Sequence, residues 1–238
     1  KTIPGVLIDI DGVIFHDGKP IPGALEALKF LKTPISFVDE EKTSEQIYIP
    51  FSFVTNSGGK LEGVKADSIN HCFNITDHPY KILKEDVIMN FTPLRPVFKD
   101  FKDKLVLALG FGDIESILQD CGVKRYITVD EYTVIFPTSM PEFKSAILTE
   151  ETTEIRKRVF QRLNLSETMS ANDLDIQAVF VLNEPVDWHQ SIQIICDVVG
   201  RTDKRVHKSL ENNTLDHIPV FSANNDFLYS GAFKLPRF

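Results

Sequence analysis

The sequence predicts an α/β protein built around a parallel sheet. Short apolar runs without polar alternation recur along the chain, and those within residues 5–15 and 50–55 both lead into polar residues and glycine. Such runs are typical of strands that are buried on both faces. Between the runs, apolar residues recur at helical spacing, as Leu25, Leu28 and Leu31 do. Strands that alternate with helices in this way indicate α/β architecture.

The first third of the chain contains two predicted strands that end in a similar way. The strand within residues 5–15 is followed by a predicted helix over residues 24–32. The polar and acidic stretch 39–46 is expected to form a surface insertion. A second strand, over residues 50–55, runs directly into Asn56-Ser-Gly-Gly59. The same order of strand, polar residues and glycine turn therefore occurs twice.

A second set of strands and helices is predicted beyond residue 100. Gly110-Phe-Gly-Asp113 is predicted to be a strand–helix turn, because a dinucleotide-binding loop would need a third glycine. The charged stretches 150–175 and 201–216 are predicted to be solvated helix and loop. The remaining predicted elements are strands at residues 104–109, 125–129, 178–182 and 219–222, and helices from Ile114 to Cys121 and from Trp188 to Val199.

Composition excludes several classes of protein. The 238 residues suffice for one large domain or two modest ones. The formal net charge of −8 argues against nucleic-acid binding, which needs a basic face. The sequence contains no apolar run close to the roughly 20 residues that a membrane span requires. Its three cysteines form no CxxC pair, so inert thiols in a reducing compartment are expected.

Asp9-Ile-Asp-Gly-Val13 is the most informative stretch. In an open parallel sheet, ligands bind beyond the carboxyl ends of the strands, and Asp9 lies at such an end. Two carboxylates about 5 Å apart repel each other by roughly 3 kcal/mol at an effective dielectric constant of about 20. A cation or a proton on one of them would offset this repulsion. Both suit phosphoryl transfer, in which one carboxylate attacks phosphorus, the other exchanges the leaving-group proton and Mg²⁺ neutralises charge. A turn with two capping aspartates is the alternative.

Thr55 and Asn56 end the second predicted strand and lead into Ser57 and two glycines. A hydroxyl, an amide and free backbone N–H groups at such a position could hold phosphate oxygens. The alternative is a simple Asn-Ser-Gly turn. Two polar strand ends in this order, with a helix between them, favour a phosphate site.

Asp9-Ile-Asp-Gly-Val13 and Phe53-Val-Thr-Asn-Ser-Gly-Gly59 resemble motifs I and II of the haloacid dehalogenase (HAD) superfamily. The sequence most resembles its class IIA members of the cat-eye-syndrome-critical-region type. This resemblance implies a HAD-type Rossmann-like parallel core with an inserted α/β cap of the C2 type. It also implies that Asp9 is the nucleophile, that Asp11 is the general acid/base, and that both bind Mg²⁺. Thr55, Asn56 and Ser57 would hold the phosphoryl group.

The resemblance divides the chain into three parts and leaves one of them incomplete. Residues 1–91 would be the N-terminal part of the core, 92–221 the cap, and 222–238 the return to the core. The lysine of motif III and the acidic stretch of motif IV, which should follow that return, are absent, so the later strands of the core would be missing. Lys144, Lys208 and Lys234 are candidates to replace the lysine, but nothing in their sequence context supports them.

Two hypotheses about function follow. The first is a Mg²⁺-dependent phosphohydrolase that acts through an aspartyl-phosphate on a small phosphorylated metabolite, incomplete and inactive as this 238-residue chain. The second is a catalytically silent, HAD-derived subunit of a larger assembly. The resemblance implies a mitochondrial or cytoplasmic location, and it leaves a protein partner or a homodimer open. Asp187 and Trp188 are candidates to line a substrate pocket, although packing is an equal alternative for the tryptophan.

Overall fold

A computed structural model describes residues 4–38, 44–76, 79–142, 149–166, 168–200 and 218–225. The stretch 201–216 and the three candidate lysines Lys144, Lys208 and Lys234 lie outside these residues. The chain divides into two compact units. Of the described residues, the first unit contains those up to Thr92 together with Asn225, and the second contains those from Pro93 to Asn224.

The first unit contains a parallel sheet of three strands, in the order β1 (Val6–Asp9), β6 (Phe51–Val54) and β7 (Val87–Ile88). The register pairs Val6 of β1 with Phe51 of β6 and ends with Asp9 opposite Val54. Two antiparallel hairpins, β2–β3 and β4–β5, lie outside this sheet. The elements of the unit are β1 (Val6–Asp9), β2 (Phe15–His16), β3 (Lys19–Pro20), α1 (Ala24–Leu31), β4 (Ile35–Val38), β5 (Ser44–Ile47), β6 (Phe51–Val54), α2 (Glu62–Cys72) and β7 (Val87–Ile88).

One expectation for the first unit is wrong. Strand β1 is not buried on both faces, because Leu7 is 75% exposed and Val6 is 37% exposed. In the part of the chain that the structure describes, β1 pairs with one strand only, and this leaves much of its surface open. The described part of the stretch predicted to be a surface insertion forms most of β5, which pairs with β4 from Ile35↔Ile47 to Val38↔Ser44 in a hairpin outside the main sheet.

The core of the first unit combines side chains from strand β6, from helix α2 and from the segments that follow β1 and β7. Ile10, Phe53, Ile69, Met89 and Phe91 each expose no more than 1% of their surface. Burial of such side chains contributes about 1.5–3 kcal/mol each, and this holds the ends of β1 and β6 in place. Residue Ile10 is therefore anchored between the two aspartates on either side of it.

The second unit contains a parallel sheet of four strands, in the order β11 (Val220–Ser222), β10 (Ile176–Val181), β8 (Leu105–Leu109) and β9 (Tyr126–Thr128). All five residues of β8 are buried, as its continuous apolar sequence predicts. Phe98 and Phe101 pack against Phe180 of β10, with ring centroids 4.6 and 5.6 Å away. The elements are α3 (Arg95–Phe98), β8 (Leu105–Leu109), α4 (Ile114–Asp120), β9 (Tyr126–Thr128), α5 (Val129–Ile135), α6 (Glu150–Leu163), β10 (Ile176–Val181), α7 (Trp188–Val199) and β11 (Val220–Ser222).

The second unit differs from the prediction in two helices. Helix α5 starts at Val129, where the sequence predicted the end of a strand, because Thr128 and Glu131 form a reciprocal capping box. Helix α6 is not wholly solvated, since Val159 and Leu163 are buried one turn apart on one face. Opposite charges also join these helices: Glu131 accepts hydrogen bonds from Arg158 at 3.1 Å and Arg162 at 2.6 Å.

Candidate active site

The parallel register brings the ends of β1 and β6 to the same edge of the first sheet. Asp9 is the last residue of β1 and lies opposite Val54, the last residue of β6. Thr55 follows directly, and its backbone N–H donates to the carbonyl of Ile88 at 3.0 Å. The Thr55 side chain is therefore held at the strand end, where only 4% of the residue is exposed.

A tight turn after β1 presents Asp11 at this edge. The buried Ile10 carbonyl accepts hydrogen bonds from the N–H groups of Val13, Ile14 and Phe15. Gly12 has a φ of 88°, a left-handed conformation that glycine adopts without strain. Its N–H donates to the carbonyl of Phe15 at 2.7 Å and closes the turn.

Three side chains meet one carboxylate oxygen of Asp11, Oδ2. The Ser57 hydroxyl donates to it at 2.7 Å, and the Thr55 hydroxyl lies 3.4 Å away. Since a hydroxyl has one hydrogen, Thr55 donates either to Asp11 or to Ser57 Oγ, which lies 3.0 Å away. The Ser57 N–H donates back to Thr55 Oγ1 at 3.0 Å. Motif II is thus hydrogen-bonded directly to the second aspartate of motif I.

The third side chain is Lys65, on the second turn of helix α2. Its Nζ lies 3.5 Å from Asp11 Oδ2, and its side chain is 13% exposed. The sequence did not predict this residue, because α2 carries no clear apolar stripe. Such a stripe would have predicted both the helix and the side of it that packs against the sheet. The one sign of its role in the sequence is its position, eight residues after Ser57 and in the helix that begins at Glu62.

These contacts determine the charge state of Asp11. Partial burial raises the pKa of Asp11, but the Ser57 hydrogen bond, the Lys65 ammonium and Thr55 outweigh it, so the pKa is lowered from its ordinary value of 3.8. The group is therefore ionised at neutral pH. Its stabilising contribution is complete above the unfolded pKa and is lost as the pH falls through the lower folded value.

Asp9 and Asn56 are exposed at the same edge. Carboxylate and carbonyl oxygens are the ligands that Mg²⁺ prefers, and the ion commonly keeps several waters when one or two carboxylates bind it. The Asp9 carboxylate and the Asp11 carbonyl fit that pattern. Within the described ranges, no cluster of three or more histidine, cysteine or acidic residues is placed to hold a metal.

A separate cleft of about 930 Å³ lies in the second unit, beyond the carboxyl ends of its strands. Asp130 and Asp187 line it, whereas Trp188 is 42% exposed and is not among the lining residues. Partial burial raises the pKa of Asp130, and the carboxylates of Glu131 and Asp187 raise it further. Gly110, with a φ of 143°, and Gly112, with a φ of 100°, form the turn from β8 to α4 beside this cleft.

The remaining predictions concern membranes and thiols. No helix among the described residues is both long and apolar enough to cross a membrane. Cys72, Cys121 and Cys196 all lie among the described residues, and none of them forms a disulfide.

Comparisons with known proteins identify a family and relatives of this chain. A family model of haloacid dehalogenase-like hydrolases matches residues 6–124, which is half of the chain. The chain is 26% identical over 231 residues to the mitochondrial hydrolase YKR070W of Saccharomyces cerevisiae, covering 97% of this chain and 57% of that protein. It is 23% identical over 232 residues to a cardiolipin synthase (CMP-forming)/mitochondrial hydrolase fusion protein of Schizosaccharomyces pombe, covering 96% and 33% respectively.

A solved structure shows the same fold. A "possible sugar phosphatase, HAD superfamily" from Cytophaga hutchinsonii superposes with a TM-score of 0.52 at 15% identity. The likeness covers 98% of this chain and 58% of that one. This chain therefore spans between a third and three-fifths of the length of the relatives compared here.

Proposed function

Because this chain belongs to the haloacid dehalogenase-like hydrolases, we propose that it carries the nucleophile and phosphate-binding part of a phosphohydrolase site. Asp9 would attack the phosphorus of a small phosphorylated metabolite and become an aspartyl-phosphate. Asp11, which is ionised in the free site, would take the proton of the phosphate monoanion when the phosphoester binds and pass it to the leaving group. The observation that carries the proposal is the contact of Asp11 with Ser57 and Thr55, where two strands end side by side.

The residues at this edge have complementary tasks in that reaction. Asp9 is exposed at the strand end, as a nucleophile must be to reach a phosphoester. Thr55, Asn56 and Ser57 would hold the phosphoryl oxygens through hydroxyl, amide and backbone N–H groups. When bound by Asp9 and the Asp11 carbonyl, Mg²⁺ would neutralise phosphate charge. The second unit would be the cap that selects the leaving group.

A small metabolite in the mitochondrion or cytosol is the substrate that we propose. The Saccharomyces cerevisiae relative is a mitochondrial hydrolase, and the net charge of −8 disfavours nucleic acid. A protein partner or a homodimer is compatible with the exposed Leu7 on β1.

The test compares Asp9→Asn with Asp67→Asn in protein expressed from the complete reading frame. Asp67 is an exposed aspartate on α2 with no place in the site, so its change removes the same charge. With p-nitrophenyl phosphate and Mg²⁺, we expect Asp9→Asn to lower turnover by at least about a thousandfold, since the nucleophile is lost. Asp67→Asn should stay within about twofold of the wild type.

A second measurement separates the phosphohydrolase from a silent subunit of a larger assembly. The silent alternative is favoured because, among the described residues, no group of three or more histidine, cysteine or acidic residues could hold a metal. Beryllofluoride with Mg²⁺ mimics the aspartyl-phosphate, and ¹⁹F NMR detects whether it is trapped. We expect trapping in the wild type and in Asp67→Asn, but not in Asp9→Asn. No trapping in any of them, or full turnover by Asp9→Asn, would overturn the proposed function.

A further inference from the structure

Lys65 reaches Asp11 because of where it lies on helix α2. The helix begins at Glu62, directly after the motif II turn, and Lys65 is its fourth residue. Helical side chains point back toward the N-terminus of their helix, so Lys65 extends toward that turn. Its Nζ lies 3.5 Å from Asp11 Oδ2. A lysine with a 13% exposed side chain is uncommon unless it is paired, and Asp11 supplies the opposite charge.

We propose that Lys65 is a positioning residue, which holds the Asp11 carboxyl group in the orientation that proton transfer to the leaving group requires. This inference rests on the proposed function, in which Asp11 is the general acid/base. Ser57 and Thr55 are neutral donors on the strand-end side, whereas Lys65 approaches from the helix with a full charge. With these donors at Oδ2, the exchangeable proton is carried by the other oxygen, Oδ1.

The orientation matters in both halves of the reaction. In the first half, Asp11 Oδ1 takes the proton of the bound phosphate monoanion. An Asp9 oxygen then forms a bond to phosphorus, the bond from phosphorus to the leaving oxygen breaks, and that proton passes from Asp11 to the leaving oxygen. In the second half, Asp11 takes a proton from water, the water oxygen bonds to phosphorus, and the Asp9–phosphorus bond breaks to release phosphate. Lys65 neither gives nor takes a proton. It keeps Asp11 Oδ1 directed at the oxygen that gains or loses the proton, which is the leaving oxygen in the first half and the water oxygen in the second.

The experiment compares Lys65→Met and Lys65→Arg with Lys84→Met in protein from the complete reading frame. Lys84 is an exposed lysine of the first unit, with a 72% exposed side chain, and it has no place in the site. The substrates are phenyl phosphate, whose leaving group needs a proton, and 2,4-dinitrophenyl phosphate, whose leaving group does not. The quantity kcat/KM reports the steps up to leaving-group release.

We expect Lys65→Met to lower kcat/KM for phenyl phosphate by about tenfold and for the dinitrophenyl ester by less than about threefold, because a misplaced acid affects only the first. Lys65→Arg should recover most of the loss, and Lys84→Met should cause none. An equal loss with both esters indicates a merely structural role and would overturn the inference.

A measurement without turnover keeps the two proposals distinguishable. NMR three-bond couplings report the Asp11 χ1 angle, and the Asp11→Asn variant assigns the signal. We expect one χ1 conformer in the wild type and in Lys65→Arg, and averaged conformers in Lys65→Met. If the wild type hydrolyses neither ester, the proposed function fails and the couplings alone decide the positioning role. An unchanged χ1 in Lys65→Met contradicts that role, whatever the activity.

Discussion

The two parallel sheets of this protein differ most in how their strands are covered. Strand β8 of the second unit buries all five residues, whereas β1 of the first unit leaves Val6, Leu7 and Asp9 exposed. Both strands have apolar sequences that suit burial on two faces. The candidate nucleophile lies on the exposed strand, and the continuously buried strand carries none of the candidate site.

This difference separates what stabilises the molecule from what performs chemistry. A strand that is covered on both sides contributes a large free energy of unfolding through the burial of its side chains. A strand whose end remains open can present carboxylates to a substrate, and its turn is held by the anchored Ile10. The comparison can be tested by equivalent substitutions in the two sheets and by charge changes around helix α5.

The largest expected effect is that of Leu107→Ala on β8, compared with Leu7→Ala on β1. Leu107 is fully buried, so truncation should lower the free energy of unfolding by about 3 kcal/mol through lost burial and a cavity. Leu7 is 75% exposed, and its truncation should cost less than about 0.5 kcal/mol.

Urea unfolding can follow both units. The sole tryptophan, Trp188, lies in the second unit and reports its unfolding by fluorescence, and far-UV circular dichroism reports the whole chain. A Leu7→Ala loss as large as that of Leu107→Ala would show that β1 is covered in solution, and the contrast between the sheets would then be wrong.

The family and the fold could be predicted because their signals are local in sequence. The apolar runs predicted β1, β6, β8 and β10, and the resemblance to HAD motifs is confirmed by the family match. The placement of Asp11, Ser57 and Thr55 together follows from parallel pairing, in which strand ends share one edge.

The rest depended on interactions that sequence patterns do not show. Helix α5 is rich in β-branched residues, and its Thr128–Glu131 capping box was the only local sign of a helix. The exposure of β1 depends on how many strands pair with it, which its own sequence does not specify. Lys65 belongs to a helix without an apolar stripe, so its direction could not be derived from periodicity.

A smaller effect is expected from Glu131→Gln in the second unit. The Glu131 side chain is 4% exposed and pairs with Arg158 and Arg162. Removing its charge leaves two guanidinium groups without their buried partner. This should lower the free energy of unfolding by about 2 kcal/mol, which is less than for a fully buried pair because water can still solvate the half-exposed Arg158.

Glu115→Gln is the matched control, because Glu115 contacts the same two arginines at 3.3 and 3.6 Å but is 35% exposed. Loss of the Glu115 charge should lower the free energy of unfolding by about 0.5 kcal/mol. Tryptophan fluorescence in urea measures both. Equal losses would mean that the burial of Glu131 does not matter, so that the ion pairs of this unit behave like surface pairs.

The smallest expected effect is a gain in stability from Asp130→Asn. The pKa of Asp130 is raised above its ordinary value of 3.8, so its ionised form is less favourable in the folded state than in the unfolded state. The cost of that charge is complete above the folded pKa and disappears as the pH falls below the unfolded value. Asp130→Asn should therefore raise Tm slightly at pH 7, and the gain should disappear as the pH falls below the unfolded pKa of 3.8. The control Asp67→Asn removes the same single charge from a net −8 chain and separates the local effect from general repulsion. If both variants raise Tm equally, net charge is the cause. A lower Tm for Asp130→Asn at pH 7 would show instead that the carboxylate stabilises the first turn of α5 more than its neighbours Glu131 and Asp187 oppose it.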